Sequence, residues 1–277
     1  MALNPKKIAG TLAAAGVVAA SALVVGATAA IRSRHNPKVR TITDGQGSPV
    51  RVLEVDKTYQ SATYVEEEKR SDLVLEYYRT FNVMFDFGLP IESVLMLGAG
   101  GCAYPLNVAK LHPEITVDAV ECNEQIAQLA RSHFFVDEAP ESGNFKLHVC
   151  DGLEYLVNAK EEGTTYSVII NDCFNGKKPD DTLLTSAALK LSRKCLVKGG
   201  LYMVNVTSTR KGKNTRTLKK TTRALNRAFK HVYTFPCTDA EFGKEDNFVI
   251  VATNGNYKIE IPVVEEPEDD FSLEVEA

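Results

Sequence analysis

None of the six cysteines (Cys102, Cys122, Cys150, Cys173, Cys195 and Cys237) falls in a C-x-x-C pair, and the five histidines (His35, His112, His133, His148 and His231) are scattered without metal-ligand spacing. These absences argue against a zinc site or a thiol redox motif. No metal site is assigned, and the cysteines read as reduced thiols of a cytosolic domain. The stretch 210–230 carries nine bases and no aromatic other than Phe229 of its apolar stripe, so nucleic acid has no stacking platform there and is not an expected partner. Its Leu218, Leu225 and Phe229 form the apolar stripe of an amphipathic helix, whose basic face suits either solvent beside an acidic tail or anionic lipid at ~1 kcal/mol per base. From Glu265 onward the chain has seven acids and no base, the composition of a solvated tail. The 277 residues, 44% hydrophobic and 25% charged, suffice for one globular domain with appendages.

Charge is missing altogether from the 24 positions 8–31, which are made of Ala, Gly, Val, Leu, Ile, Ser and Thr. At ~1.5 Å per residue this run is long enough to cross ~30 Å of hydrocarbon, which predicts one transmembrane helix. A cleaved signal peptide is the competing reading, with Lys6 and Lys7 as its basic start and Ala27-Thr28-Ala29 as a small-residue cleavage site. The run exceeds the usual ~7–15 residues of such a segment. Arg32, Arg34, Lys38 and Arg40 outnumber the two preceding bases, which keeps the body of the chain on the cytoplasmic side. The expectation is an uncleaved single-pass anchor with a cytoplasmic domain.

After the anchor, 36–49 is turn-rich and reads as a linker. The runs 50–55 and 61–65 predict a small β-hairpin layer. A helix is predicted over 72–87, with Ser71 as N-cap and Leu73, Tyr77, Phe81 and Phe85 as a core-facing stripe.

Four apolar strand-like runs then end in glycine or polar residues. Residues 94–97 lead into Gly98-Ala99-Gly100-Gly101-Cys102-Ala103, 116–120 end at Glu121, 146–150 at Asp151-Gly152, and 166–170 at Asn171-Asp172. Helices at 124–134 and 183–196 alternate with them, as a parallel sheet needs, and closing runs at 201–206, 231–235 and 247–252 suggest a mixed edge. The fold class is α/β, a doubly wound Rossmann-like sheet. Ligands of such sheets sit beyond the carboxyl ends of the strands, so these tips should converge on one site. The loop matches G-x-G-x-x-A, which fits a nicotinamide cofactor as well as another nucleoside. Glu121, ~20 residues later, can accept both ribose hydroxyls, and Asp151 can accept an adenine amino group, although Asp-Gly is also a common turn.

From about 59 to 252 these residues resemble the spermidine synthase-like aminopropyltransferases, which share the fold of class I S-adenosylmethionine-dependent methyltransferases. Tyr59-Gln60 resembles the family's Tyr-Gln pair, 94–103 its glycine-rich loop, Val120-Glu121-Cys122-Asn123 its acid-bearing second strand tip, and 166–172 with 181–185 its fourth strand, catalytic loop and helix start. The resemblance implies that Gln60, Gly98, Gly100, Glu121, Asp151 and Gly152 line a pocket for decarboxylated S-adenosylmethionine, that Tyr59 and Asn175 face the substrate, and that Asp172 is the base.

The chain departs from the family pattern at Gly101 and Asn175, where the family usually has acids facing cationic amines. Three readings follow: aminopropyl transfer to a small-molecule amine, methyl transfer from S-adenosylmethionine, and a non-catalytic nucleoside-binding protein. Glu66, Glu67 and Glu68 could replace the missing acids or form a solvated face. The expected organisation is an anchor and basic flank (1–40), a linker, hairpin layer and helix (41–92), a nucleoside-binding domain (93–255) and an acidic tail (256–277), with a homodimer left open.

Overall fold

Alternating burial builds a first, small sheet. The computed structural model describes residues 36–139, 142–175, 178–209, 215–237 and 245–259. In it β1 (Lys38–Thr43), β2 (Pro49–Val55) and β3 (Thr58–Tyr64) pair antiparallel in that order, with Val50, Val52 and Ala62 buried on one face. The hairpin layer thus gains a third strand from the stretch read as linker. The β2–β3 turn has Asp56 and Lys57 at φ +50° and +65°, the sign that a two-residue type I′ turn demands at both centres.

The next helix is shorter than its apolar stripe predicts. Leu75 is extended, α1 runs only over Glu76–Phe81, and a 3-10 stretch continues over Asn82–Phe87. Side chains capture the carbonyls that an earlier start would use: Asn107 Nδ2 donates to Ser71 O at 2.6 Å, and Arg79 donates twice to Leu73 O at 3.1 and 2.9 Å.

The main sheet is then laid down by β4 (Ser93–Leu97), α2 (Ala103–Leu111), β5 (Thr116–Glu121), α3 (Glu124–His133), β6 (Phe145–Val149), α4 (Gly152–Glu162) and β7 (Tyr166–Asn171). A two-residue ribbon of β8 (Phe174–Asn175) and β9 (Lys178–Pro179) follows, then α5 (Ser186–Lys194), β10 (Leu196–Ser208), α6 (Arg216–Asn226), β11 (His231–Pro236) and β12 (Asp246–Thr253). The seven strands stand in the order β11-β12-β10-β7-β4-β5-β6. Neighbours from β10 to β6 are parallel, and β12 runs antiparallel to both β10 and β11. The architecture is a Rossmann-like α/β fold with the mixed edge that the closing strands suggested.

Residue parity divides the core. Val94, Met96, Val168 and Ile170 pack on one face with Tyr78, Phe81 and Tyr104. Leu95, Leu97 and Ile169 pack on the other with Leu189, Leu218, Leu225 and Phe229, so the apolar stripe of α6 docks as expected. Burial on both faces is why these strands read as continuous apolar runs. Toward the β6 edge, Asp118 lies 2.6 Å from His148 Nε2 and accepts the Tyr166 hydroxyl at 2.9 Å. Burial raises its pKa, but these hydrogen bonds outweigh it and leave the carboxyl below its ordinary value.

The chain order turns at β4: one run of connections proceeds outward through β5 and β6, and the other returns through β7 to β10. The crevice between the tips of β4 and β7 is therefore the switch point at which such sheets bind ligands.

One expectation is corrected. No helix among the described residues is long and apolar enough to cross a membrane. The longest, α4 and α6, have 11 residues each, ~16 Å against ~30 Å of hydrocarbon. The stretch 8–31, to which the transmembrane helix was assigned, lies outside the described residues, as does the tail from 260. The single-pass anchor, the membrane as a partner and the membrane localisation are withdrawn.

Candidate functional site

The strand tips open into one cavity of about 500 Å³, and Tyr59, Gln60, Gly98, Gly100, Glu121, Asp151, Gly152 and Asp172 all stand on its wall. Asn175 lies on β8, and its side chain is not among those described. The acidic run expected as a solvated face or a substitute, Glu66, Glu67 and Glu68, lies in and before a short 3-10 turn off this wall.

The glycine loop forms the floor. Gly98 has φ +83°, and a Cβ there would lie 2.6 Å from the carbonyl oxygen of Asp172, so only glycine lets β4 turn this close to the tip of β7. The Gly100 N–H donates to Glu121 Oε2 at 2.9 Å, and the Asn123 N–H donates to Oε1 at 2.8 Å. These two bonds hold a carboxylate that is only 6% exposed at the cavity edge. Asp151 Oδ1 accepts the N–H groups of Leu153 and Glu154 at 2.8 and 3.3 Å and caps α4. It thus acts as both the turn former and the cavity acid that the sequence allowed.

Asp172 is the centre of the site. Its N–H donates to Leu97 O at 2.9 Å, Oδ2 accepts the Tyr77 hydroxyl at 3.2 Å, and Oδ1 accepts Asn205 Nδ2 at 2.8 Å. Burial pushes its carboxyl up to about 7, against the opposing pull of the Asn205 and Tyr77 hydrogen bonds. Burial, followed by the charge of Asp172, also holds the Tyr77 phenol well above its ordinary value, so Tyr77 remains a donor. Tyr77 was read only as part of the core stripe of α1, and Asn205 as part of an apolar strand. The available signal for Asn205 was a lone carboxamide in the run Leu201-Tyr202-Met203-Val204-Asn205-Val206. Tyr77 offered none, because its spacing equals that of its core neighbours.

The position lacking the family acid is closed by packing. A Cβ on Gly101 would lie 2.8 Å from Ser61 Oγ and 2.9 Å from the Phe134 ring. Gly101 therefore faces the small sheet and α3 rather than the cavity.

Among the described residues on the wall, six are acids (Asp56, Glu121, Asp151, Asp172, Asp180 and Glu245) and none is basic. Cys122, Cys150 and Cys173 also line it. Burial raises Cys150 to about 11 and holds Cys173 well above the thiol range.

Residues 86–253 match the model of the Spermine/spermidine synthase domain. The chain belongs to this family. Among curated relatives, a polyamine aminopropyltransferase of Vibrio vulnificus is 32% identical over 120 residues, covering 43% of this chain and 39% of the relative. Another, of Chromobacterium violaceum, is 26% identical over 179 residues, 63% of this chain and 66% of the relative. The chain thus spans between about two fifths and two thirds of the length of these curated relatives. Among solved structures, a probable spermidine synthase from Corynebacterium glutamicum superimposes with a TM-score of 0.67 at 19% identity, covering 80% of this chain and 78% of that one. Human methyltransferase-like protein 13 in complex with SAH gives 0.52 at 19% identity over 64% and 82%. At these identities the likeness is one of fold, and it is shared by both kinds of transferase.

Proposed function

We propose that the chain transfers the aminopropyl group of decarboxylated S-adenosylmethionine to a primary amine in polyamine synthesis. The observation that carries this reading is the charge of the cavity, whose described wall holds six acids and no base. A cleft lined by one sign of charge concentrates ligands of the other. Decarboxylated S-adenosylmethionine offers a sulfonium and an ammonium, and the acceptor arrives as an ammonium, whereas the carboxylate of intact S-adenosylmethionine would meet no cationic side chain among the described residues of that wall. The names of the bacterial relatives agree with this choice.

In this mechanism Asp172, poised near 7, takes a proton from the acceptor ammonium, as a base matched to its working pH should. The nitrogen lone pair then attacks the methylene beside the sulfonium. The C–N bond forms as the C–S bond breaks, the sulfur keeps the electron pair, and methylthioadenosine leaves neutral. Glu121 accepts the ribose hydroxyls and Asp151 faces the adenine amino group. Gln60, Gly98, Gly100 and Gly152 shape the nucleoside floor, and Tyr59 and Asn175 belong to the substrate side.

Methyl transfer from S-adenosylmethionine is the second reading, since the same fold occurs in the methyltransferase-like neighbour. The test incubates the full chain with decarboxylated S-adenosylmethionine and a panel of amines, and in parallel with S-adenosylmethionine and the same panel. Methylthioadenosine release that needs the amine and is lost in Asp172→Asn is the expected result, with a fall of ~10²–10⁴-fold for loss of a general base. S-adenosylhomocysteine as the product would overturn it in favour of methyl transfer. Nucleoside binding without either product would favour the non-catalytic reading.

A further inference from the structure

No C-x-x-C pair occurs in the sequence, yet the sheet brings two cysteines together from separate strands. β5 and β6 run parallel with Val120 against His148 and Glu121 against Val149, so the next residues, Cys122 and Cys150, stand opposite each other. The Cys150 N–H donates to Glu121 O at 3.2 Å, the slanted bond that a parallel pairing of Cys150 with Cys122 makes. Alternation along each strand puts both side chains on one face, that of Asp118, Val120 and His148. On that face Asp118 lies 2.6 Å from His148 Nε2, and Val120 and Cys150 pack in the same core cluster. Both cysteines line the cavity, Cys122 exposed and Cys150 half-buried. Neighbouring strands lie ~4.8 Å apart, within the ~4.4–6.8 Å between Cα atoms that a disulfide spans.

We propose that Cys122 and Cys150 form a dithiol modification site, which a small-molecule disulfide such as glutathione disulfide converts into a cross-strand disulfide when the cavity is empty. Cys122, the more exposed, reacts first. Its thiolate attacks one sulfur of glutathione disulfide, the S–S bond of the reagent breaks, and one glutathione leaves with the electron pair and takes up a proton. Cys150 then gives its proton to solvent and attacks the Cys122 sulfur, and the second glutathione leaves in the same way. Two protein thiols are thus oxidised by two electrons, and one glutathione disulfide is reduced to two glutathiones. Burial, followed by the charges of Glu154 and Asp151, pushes the Cys150 thiol up to about 11, so the second step is the slow one and quickens with pH. The bridge lies between the chain neighbours Glu121 and Asp151, and a ligand that fills the cavity covers both sulfurs. That this ligand is the nucleoside rests on the aminopropyl reading.

The experiment incubates the full chain with glutathione disulfide at pH ~8, where thiolates begin to form, quenches it by alkylation and maps the disulfides by peptide mass spectrometry. The expected product is a link between Cys122 and Cys150, and Cys150→Ser should stop at a glutathione adduct on Cys122. With methylthioadenosine present at ~10 times its Kd, the link should form about tenfold more slowly. A link from Cys122 to Cys173, which also lines the cavity, would overturn the proposal, as would an adduct that persists on Cys122 of the wild-type chain or no modification at all. The wild-type map decides among these outcomes, so the test holds even where Cys150→Ser fails to fold. A link that forms equally fast while calorimetry reports methylthioadenosine bound would overturn the shielding of the pair by the nucleoside. A chain that forms the link but binds no methylthioadenosine would instead sink the aminopropyl reading and leave the dithiol site standing.

Discussion

At Gly98 the chain passes so close to Asp172 that a methyl group would meet the aspartate's own carbonyl. Gly98→Ala should therefore lower stability by ~1–3 kcal/mol, the usual cost of overpacking, and displace Asp172. Thermal denaturation together with nucleoside titration would show both losses. The Asp172 carboxyl, raised from 3.8 to about 7 in the folded chain, favours folding while protonated. That contribution is complete below pH ~4 and is lost as pH rises through ~7. Asp172→Asn should accordingly raise the melting temperature at pH 8, by the equivalent of ~1–3 kcal/mol, and leave it unchanged near pH 4, while abolishing activity. A variant no more stable than wild type at pH 8 would contradict the burial of this charge. The strand-tip acids were legible in the sequence because each ends an apolar run, where a charge has no packing role. Tyr77 was not legible, since a tyrosine at helical spacing serves a core equally well. Gly101 was legible as a missing acid, but the reason, Ser61 and Phe134 occupying its side-chain space, arises only once β3 and α3 meet. Gly101→Asp should lower the melting temperature and restore no amine affinity.

Among the elements, the β2–β3 turn holds Lys57 at φ +65°, a conformation that costs a side-chain-bearing residue ~1–2 kcal/mol. Lys57→Gly yields the Asp-Gly pair that type I′ turns prefer. It should stabilise the chain by ~0.5–1 kcal/mol once glycine's own entropy is subtracted, measured as a shift in the denaturant midpoint. No change would mean that the turn relaxes in solution. The amphipathic helix α6 and the parallel strands were readable because their apolar period matches the surface they cover. Strand β1 was not: its burial is shallow along its whole length, and backbone pairing with β2 defines it. The late start of α1 was hidden for the same kind of reason, since Asn107 and Arg79 claim the carbonyls of Ser71 and Leu73 through contacts formed only in the folded chain.

Across the whole molecule, two carboxylates set opposing responses to acid. Asp118 has a lowered pKa in the folded chain, so its contribution is present above pH ~4 and is lost as pH falls below it, opposite in sign to that of Asp172. Asp118→Asn should lower the melting temperature at pH 7, with the deficit narrowing toward pH 3. A deficit independent of pH would assign its effect to packing instead. Strand β12 runs against its neighbours and so brings its starting end to the rim where the parallel strands finish. Glu245 and Asn247 reach the cavity from there, with Asn247 directly opposite Thr207 of β10. The cavity wall is thus built by strand exits on one side and by a strand entrance on the other, on separate stretches of chain. Under the proposed reading, substitutions at Thr207 and Asn247 would reshape the wall they share, while Gly98, Glu121 and Asp151, carried on other stretches of chain, stay untouched.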